Sequence, residues 1–129
     1  MSEQTGTQNI NDVSAAFDLL RDARRRGVIY TVKRNGRTSV SELARRIAAW
    51  QTADGDESPD PATVETSLAH AHLPKLVDAG VVEYDREAGT VELAETTDGL
   101  DPFLERTSER EPGLVRAART SNLERALEI

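Results

Sequence analysis

The sequence predicts a mainly helical α+β domain with one small β-hairpin and an additional helix at its C-terminal end. Apolar residues recur at three- and four-residue spacing along most of the chain, which is the period of a helix. Two short alternating segments flank a turn that contains glycine, which indicates a hairpin. A length of 129 residues suits one domain with tails. We expect a disordered tail over 1–11, the domain over 12–105 and a helical extension over 106–129.

The composition excludes several classes of protein. Cysteine is absent, so disulfides, thiolate zinc sites and a cysteine nucleophile are excluded. The sequence has neither a run of ~18 apolar residues nor a signal peptide at its start, which predicts a cytoplasmic protein with no membrane contact. The net charge is -7, and nearly all positive charge is arginine. An acidic, lysine-poor and alanine-rich composition fits a salt-rich cytoplasm, and it also fits an ordinary acidic protein.

Charge is segregated along the chain. Residues 21–46 carry a net charge of +7, whereas residues 47–105 carry -12. A basic block in an acidic protein indicates a polyanionic partner or an acidic surface on a second subunit, and a solvated helix face remains the alternative. The candidate phosphate contacts in this block are Arg24, Arg25, Arg26, Arg45 and Arg46.

The first two helices follow the polar N-terminal tail. One helix is expected to begin near Asn11 or Asp12. Its apolar face would contain Val13, Phe17 and Leu20, with Ala16 beside them. Asp22 can cap a second helix, and Gly36 should end that helix because glycine accepts a left-handed conformation.

A short strand over 38–40 precedes a third helix, for which Ser41 is the expected N-cap. Its spacing predicts a buried face formed by Leu43, Ile47 and Trp50 and an exposed face formed by Arg45 and Arg46. Residues 51–60 are rich in Gly, Pro, Asp and Ser, and they predict a loop.

The fourth helix should begin at Pro61, with Asp60 as its N-cap. At 100° per residue, the stripe that faces the core contains Val64, Leu68, Ala69, His72, Leu73 and Leu76. The opposite face contains Thr63, Thr66, Ser67, His70, Ala71 and Pro74. Pro74 lacks an N–H, so the helix should kink or restart there, and Ala79-Gly80 should end it.

Strands over 81–85 and 90–94 follow, joined by a turn over 86–89. A short helix should then pack on the core through Leu100, Phe103 and Leu104. Pro112-Gly113 is expected to break the chain before a last helix over 114–129. The apolar side of that helix would contain Leu114, Val115, Ala118, Leu123, Ala126 and Leu127.

The residues that carry catalytic or metal chemistry are sparse. His70 and His72 are the only histidines, and they lie about 200° apart around a helix, so they cannot share a metal ion. The sequence contains neither a glycine-rich phosphate loop nor a nucleophile elbow. We therefore expect no enzyme, no cofactor and no metal site. His72 falls in the apolar stripe, whereas His70 faces outward, where it either contacts a base or phosphate or is simply solvated.

The order of elements and three sequence segments resemble a winged helix-turn-helix domain over about 13–104. The segments are Ser39-Val40-Ser41-Glu42-Leu43-Ala44, Ala69-His70-Ala71-His72-Leu73-Pro74-Lys75-Leu76 and Asp78-Ala79-Gly80-Val81-Val82-Glu83-Tyr84-Asp85. With Leu19-Leu20-Arg21-Asp22-Ala23-Arg24-Arg25-Arg26, they resemble winged-helix proteins of halophilic archaea that are regarded as transcription regulators. This resemblance favours the salt-rich cytoplasm.

The resemblance implies a DNA-binding transcription regulator on double-stranded DNA, with a recognition helix over about 61–73 and a wing over about 86–89. Beside the five arginines, the implied DNA contacts are Thr63, Thr66, Ser67, His70, Lys75 and Arg86. The alternative is a winged-helix module that binds a protein and not DNA, because the expected recognition helix contains Glu65 and no arginine.

A homodimer is expected through the C-terminal helix. A helix of ~16 residues is marginal alone in water and needs a surface for its apolar side. That surface would be either the same domain or the matching helix of a second chain, and two-fold pairing would suit a protein that reads two DNA half-sites.

Overall fold

The computed structural model describes residues 13–53, 60–95 and 98–119. The described chain is mostly helical with one small antiparallel sheet, which confirms the α+β class. Its elements in order are α1 (Val13–Leu20), α2 (Ala23–Asn35), β1 (Thr38–Ser39), α3 (Val40–Ala53), α4 (Pro61–Ser67), a π-helical turn (Leu68–His72), α5 (Leu73–Asp78), β2 (Val82–Asp85), β3 (Thr90–Leu93), a 3₁₀ turn (Asp98–Leu100), α6 (Asp101–Arg110) and α7 (Pro112–Arg119). The predicted tail over 1–11 lies outside the described residues.

The ends of α2 are where the sequence predicts them. The Asp22 carboxylate accepts a hydrogen bond from the backbone N–H of Arg24 at 2.8 Å. At the other end, Gly36 has a φ of 81° and donates its N–H to the carbonyl of Val32. Both caps are local interactions, so a few neighbouring residues are sufficient to predict them.

The expected apolar face of α1 is wrong in part. Leu20 is buried, but Val13 and Phe17 are 56% and 59% exposed. The core takes Ala16, which was expected beside this face, and Leu19 together with Leu20. Both sets of residues have helical spacing, and which set meets the core depends on how α1 is placed against α2.

Two expectations for α3 also need correction. The hydroxyl of Ser39, and not that of Ser41, accepts the hydrogen bond from the backbone N–H of Glu42, and the helix begins at Val40. Arg46, which was expected on the exposed face, is only 8% exposed because α7 packs over it. The helix also continues to Ala53, into the predicted loop over 51–60. Residues 54–59 of that loop lie outside the described part of the chain.

The sheet has the order β1-β3-β2, and both pairs are antiparallel. The predicted hairpin is confirmed, with Gly89 at a φ of 69° in its turn. The backbone N–H of Val40 donates to the carbonyl of Gly89 at 2.9 Å. The hairpin turn therefore lies beside the beginning of α3.

The helix that begins at Pro61 adapts to Pro74 by a change of winding. Leu68–His72 form a π-helical turn, in which the N–H of Leu73 donates to the carbonyl of Leu68. This wider turn ends two residues before Pro74, which has no N–H to donate. A new α-helical segment, α5, follows it directly, which agrees with the expected restart of the helix. The buried stripe is confirmed for Val64, Leu68, His72, Leu73 and Leu76.

The last described helix packs against its own domain. The expected chain break falls at Glu111, and Pro112 and Gly113 already belong to α7. Leu114 and Ala118 are buried in the common core against α2 and α3. A Cβ on Gly27 of α2 would lie 3.2 Å from a terminal carbon of Leu114, so glycine permits this close approach. The predicted apolar residues Leu123, Ala126 and Leu127 are outside the described residues.

Replacing Leu114 with alanine should lower the free energy of unfolding by about 2–5 kcal/mol, because it leaves a cavity between α2, α3 and α7. The matched control is Val77→Ala, which removes an apolar side chain that is 42% exposed and should cost much less. Urea unfolding of both variants followed by circular dichroism measures the difference. Equal losses for the two variants would show that α7 does not belong to the core.

Candidate nucleic-acid interface

The candidate interface begins with the outward face of α4 and the π-helical turn. Thr63, Thr66 and His70 are exposed there, and Ser67 is half-buried. The Asp60 carboxylate caps this helix by accepting the N–H of Ala62 at 3.2 Å. This face carries hydroxyl and imidazole groups on a rod whose other side is anchored in the core. The structure thus confirms the outward orientation that the sequence predicts for Thr63, Thr66, Ser67 and His70.

The hairpin turn supplies one cation. The Arg86 guanidinium lies over the ring of Tyr84, 5.3 Å from the ring centre. Among the described residues, no carboxylate lies within ion-pair distance of Arg86. The Asp85 carboxylate instead accepts the backbone N–H groups of Glu87 and Ala88, which shapes the turn. Arg86 is thus exposed and available for a partner.

Two other predicted contacts are exposed but are paired within the chain. Arg45 forms an ion pair with Glu42 one turn earlier on α3. Lys75 of α5 lies 3.6 Å from the Asp18 carboxylate of α1. Exposed pairs of this kind contribute little to stability, so a phosphate can compete for either cation.

Arg25 points into the domain. Its side chain is 5% exposed and donates hydrogen bonds to the carbonyls of Leu19 at 2.6 Å and Asp18 at 3.1 Å. It also lies 3.3 Å from Nδ1 of His72. A guanidinium can only donate, so Nδ1 accepts and the ring proton of neutral His72 is on Nε2, which faces Asp22 at 3.9 Å. Arg25 therefore joins the end of α1 to the buried side of the π-helical turn.

Arg26 is the centre of a second polar cluster. It makes two hydrogen bonds to the Glu111 carboxylate, at 2.7 Å and 3.0 Å, and a third to the carbonyl of Leu20. The Tyr30 hydroxyl donates to the same carboxylate at 2.6 Å and lies 2.6 Å from the Thr107 hydroxyl. Burial, followed by the hydrogen bond to Glu111, raises the pKa of Tyr30 well above its ordinary value. The cluster joins α2 to the junction of α6 and α7.

The remaining two of the five predicted arginine contacts also have partners within the chain. Arg24 donates to the side-chain oxygen of Gln51 at 3.2 Å. Arg46 pairs with Glu42 at 2.7 Å and donates to the carbonyls of Ala117 and Ala118 at the end of α7. Buried Arg25 and Arg46, together with Arg26, hold helix ends inside the domain. The structure thus separates them from the exposed α4 face, which the sequence interpretation grouped with them.

The partners of Arg26 and Tyr30 at the junction of α6 and α7 could not be found from the sequence. Thr107 and Glu111 are 77 and 81 residues from Tyr30 in the chain. Glu111 stood beside the expected break at Pro112-Gly113, and Thr107 was in no motif. The only local signal was the mixture of charges around α6, which also fits a solvated helix.

The segment that runs from α4 to the hairpin is mostly negative. From residue 60 to residue 90 the acids are Asp60, Glu65, Asp78, Glu83, Asp85 and Glu87, against the bases Lys75 and Arg86.

No group of three or more His, Cys, Asp or Glu side chains in the described ranges could hold a metal ion. The same ranges contain no helix that is long and apolar enough to cross a membrane.

Replacing Arg26 with alanine should lower the free energy of unfolding by about 2–4 kcal/mol, because it leaves the half-buried Glu111 carboxylate without its cation. Arg34→Ala is the control on the same helix, since its side chain is exposed, and it should change stability by less than about 0.5 kcal/mol. Chemical unfolding at neutral pH measures both. A loss no larger than that of Arg34→Ala would contradict the structural role of Arg26.

His72 should make stability depend on pH. Burial is the main cause that lowers the pKa of His72, Arg25 and Arg24 lower it further, and Asp22 opposes them. Between the lowered folded pKa and the unfolded value of about 6.5, the unfolded chain binds more protons, so stability falls as pH falls through this window.

Urea unfolding at about pH 7.5 and pH 5.5 tests this pH dependence, because the two values lie on either side of the pKa of a histidine in the unfolded chain. His72→Gln should lose part of the decrease that the wild-type chain shows, whereas His70→Gln, at an exposed position, should keep it. Parallel curves for the wild-type chain and His72→Gln would contradict the prediction.

Comparisons with known proteins give one match. No curated protein and no solved structure shows a significant match to the chain. The family model of a domain of unknown function, DUF7344, matches residues 17–92, which run from α1 to β3 and make up more than half of the sequence. The chain therefore belongs to the DUF7344 family.

Proposed function

We propose that this chain is a winged helix-turn-helix transcription regulator that binds double-stranded DNA in a salt-rich cytoplasm. The observation that carries the proposal is the outward face of α4 and the π-helical turn. It presents Thr63, Thr66 and His70 to solvent on a helix whose opposite side is buried. Uncharged donors and acceptors on a rigid helix are suited to base edges in a major groove.

The order of elements supports the same proposal. From α2 to β3 the chain runs helix, strand, helix, helix and two-stranded hairpin, and the first strand pairs with the hairpin. In a winged helix the helix before the hairpin enters the groove and the hairpin touches the neighbouring backbone. Residues 61–73 would be the recognition helix, and residues 86–89 would be the wing.

The phosphate contacts we propose are fewer than the sequence indicates. Arg45, Lys75 and Arg86 are exposed and fit the role, and half-buried Arg24 is a further candidate. Arg25, Arg26 and Arg46 leave the set, because their donors are used by carbonyls and carboxylates of the chain. With few phosphate contacts, binding should show a shallow dependence on salt.

A second candidate function is a winged-helix module that binds a protein. The excess of acids over bases from residue 60 to residue 90 favours it, since these acids would repel phosphates. Binding to a labelled DNA duplex separates the two candidates.

Homodimerisation through the helix predicted over 114–129 also stays a prediction, although Leu114 and Ala118 are already covered by the same chain.

Arg86→Ala should weaken binding to a fluorescein-labelled random-sequence duplex, because one phosphate contact is lost. When the titration is repeated at several potassium chloride concentrations, the plot of log K against log salt should be less steep for the variant by about one unit. Arg119→Ala is the matched control, since it removes an exposed arginine from α7, outside the proposed face. Fluorescence anisotropy measures all three proteins.

Two results would contradict the DNA-binding proposal. One is the absence of salt-dependent anisotropy change with the wild-type chain, which would favour the protein-binding module. The other is an equal change of slope for Arg86→Ala and Arg119→Ala, which would remove the hairpin turn from the interface.

A further inference from the structure

An open apolar groove lies between α1 and α6, on residues that the proposed DNA interface does not use. Its volume is about 620 Å³. The rings of Phe17 and Phe103 line it and meet edge to face, with centroids 5.3 Å apart. Its other described lining residues are Leu20, Arg21, Pro102, Arg106 and Thr107, so the described lining contains two arginines and no acid. We call this surface the α1–α6 groove.

A smaller pocket of about 280 Å³ adjoins the groove and adds positive charge. Arg106 and Thr107 line both spaces, and Arg26, Arg110 and Glu111 line only the smaller one. Arg26 is occupied by Glu111 at 2.7 Å. Among the described residues, no carboxylate lies within ion-pair distance of Arg106 or Arg110. Two arginines without an acidic partner in the described chain therefore lie where the two spaces meet and beyond.

The helical period separates the two signs of charge on α6. At 100° per residue, Phe103, Arg106 and Arg110 fall within an arc of about 60°. Glu105 and Glu109 lie about 90° or more from the middle of that arc. All four charged side chains are exposed. The arginines of α6 are thus on the side of the groove, whereas these glutamates are turned away from it.

The lining fits a small anion with an apolar body. Sites for small molecules are clefts of roughly 300–1,000 Å³ with mostly apolar walls and a few polar groups. The arginines would repel a cation, and a fully polar anion would leave both phenylalanine rings in water. A guanidinium binds a carboxylate through two parallel hydrogen bonds, and the attraction is stronger beside an apolar surface than in open water. The chain as a whole has a net charge of -7, so this local excess of arginine does not follow from its composition.

We propose that the α1–α6 groove binds a small organic carboxylate with an apolar body, such as a medium-chain acid. The apolar body lies against Phe17 and Phe103, and the carboxylate pairs with Arg106, with the charges of Arg21 and Arg110 on either side. Phe103 and Arg110 are about 10 Å apart along the axis of α6, which suits a chain of medium length. Burial of the apolar body supplies most of the affinity, and the arginines supply the preference for an anion. The proposal does not rest on DNA binding.

The two phenylalanines of the chain give a direct test, because both line the groove. In the full-length chain with ¹³C-labelled phenylalanine rings, every labelled NMR signal reports on this site. Octanoate should shift the signals of both rings until they saturate. Octylammonium has the same chain length with the opposite charge, and its dissociation constant should be at least about tenfold higher. Acetate has the charge without the chain and should give no saturable shift.

Arg106→Gln tests the charge at the junction of the two spaces. It should raise the dissociation constant of octanoate by about threefold to tenfold and reduce the difference between octanoate and octylammonium. Arg119→Gln is the matched control, since it removes an exposed arginine from α7, outside the groove, and should change neither constant. Circular dichroism checks that both variants are folded.

Four results would overturn the proposal. The first is the lack of a saturable shift with octanoate, and the second is equal binding of octanoate and octylammonium. The third is an equal effect of Arg106→Gln and Arg119→Gln on octanoate binding. The fourth is movement of both ring signals on dilution without a ligand, which would place a second copy of the chain in the groove.

Discussion

The bidentate pair between Arg26 and Glu111 is the constraint on which the C-terminal half of the fold depends. It fixes the turn between α6 and α7 against the first turn of α2, with side chains that are 18% and 16% exposed. Tyr30 then donates to the same carboxylate, which keeps the phenol and the acid satisfied together. With this turn fixed, α7 lies over Gly27 and brings Leu114 into the core. A half-buried pair of this kind is also screened by salt less than a surface pair.

Three arginines of the basic block have a role inside the domain. Arg25 and Arg26 donate to the last carbonyls of α1, and Arg46 donates to the last carbonyls of α7. Carbonyl groups in the last turn of a helix are favourable sites for cations, because the helix dipole is negative there. The polyanion, second-subunit and solvated-face interpretations all treated the block as surface. Its arginines with the fewest internal contacts, such as Arg45, are the ones left for a partner.

What the sequence could predict is what depends on a few neighbouring residues. The caps at Asp22, Gly36 and Asp60 follow from local hydrogen bonds and backbone conformation, and so does the hairpin turn at Gly89. The exposed side of α4 was predictable because buried Val64 and Leu68, four residues apart, fix the phase of that helix. The burial of Arg46 was not predictable, since its carbonyl partners lie 71 and 72 residues away. The exposure of Phe17 was not predictable either, because it depends on how α1 packs against the rest of the domain.

The unit that folds is larger than the part that the family model matches. The match ends at Glu92, yet the core also takes Leu100, Leu104 and Leu114, and the Arg26 cluster takes Glu111. A chain cut at the family boundary would expose the apolar surface of α2 and α3 that α7 covers. By contrast, α4 and all of the hairpin except Leu93 lie within the match. In our proposal, the family domain thus carries DNA recognition, and the segment beyond it completes the core on which that domain depends.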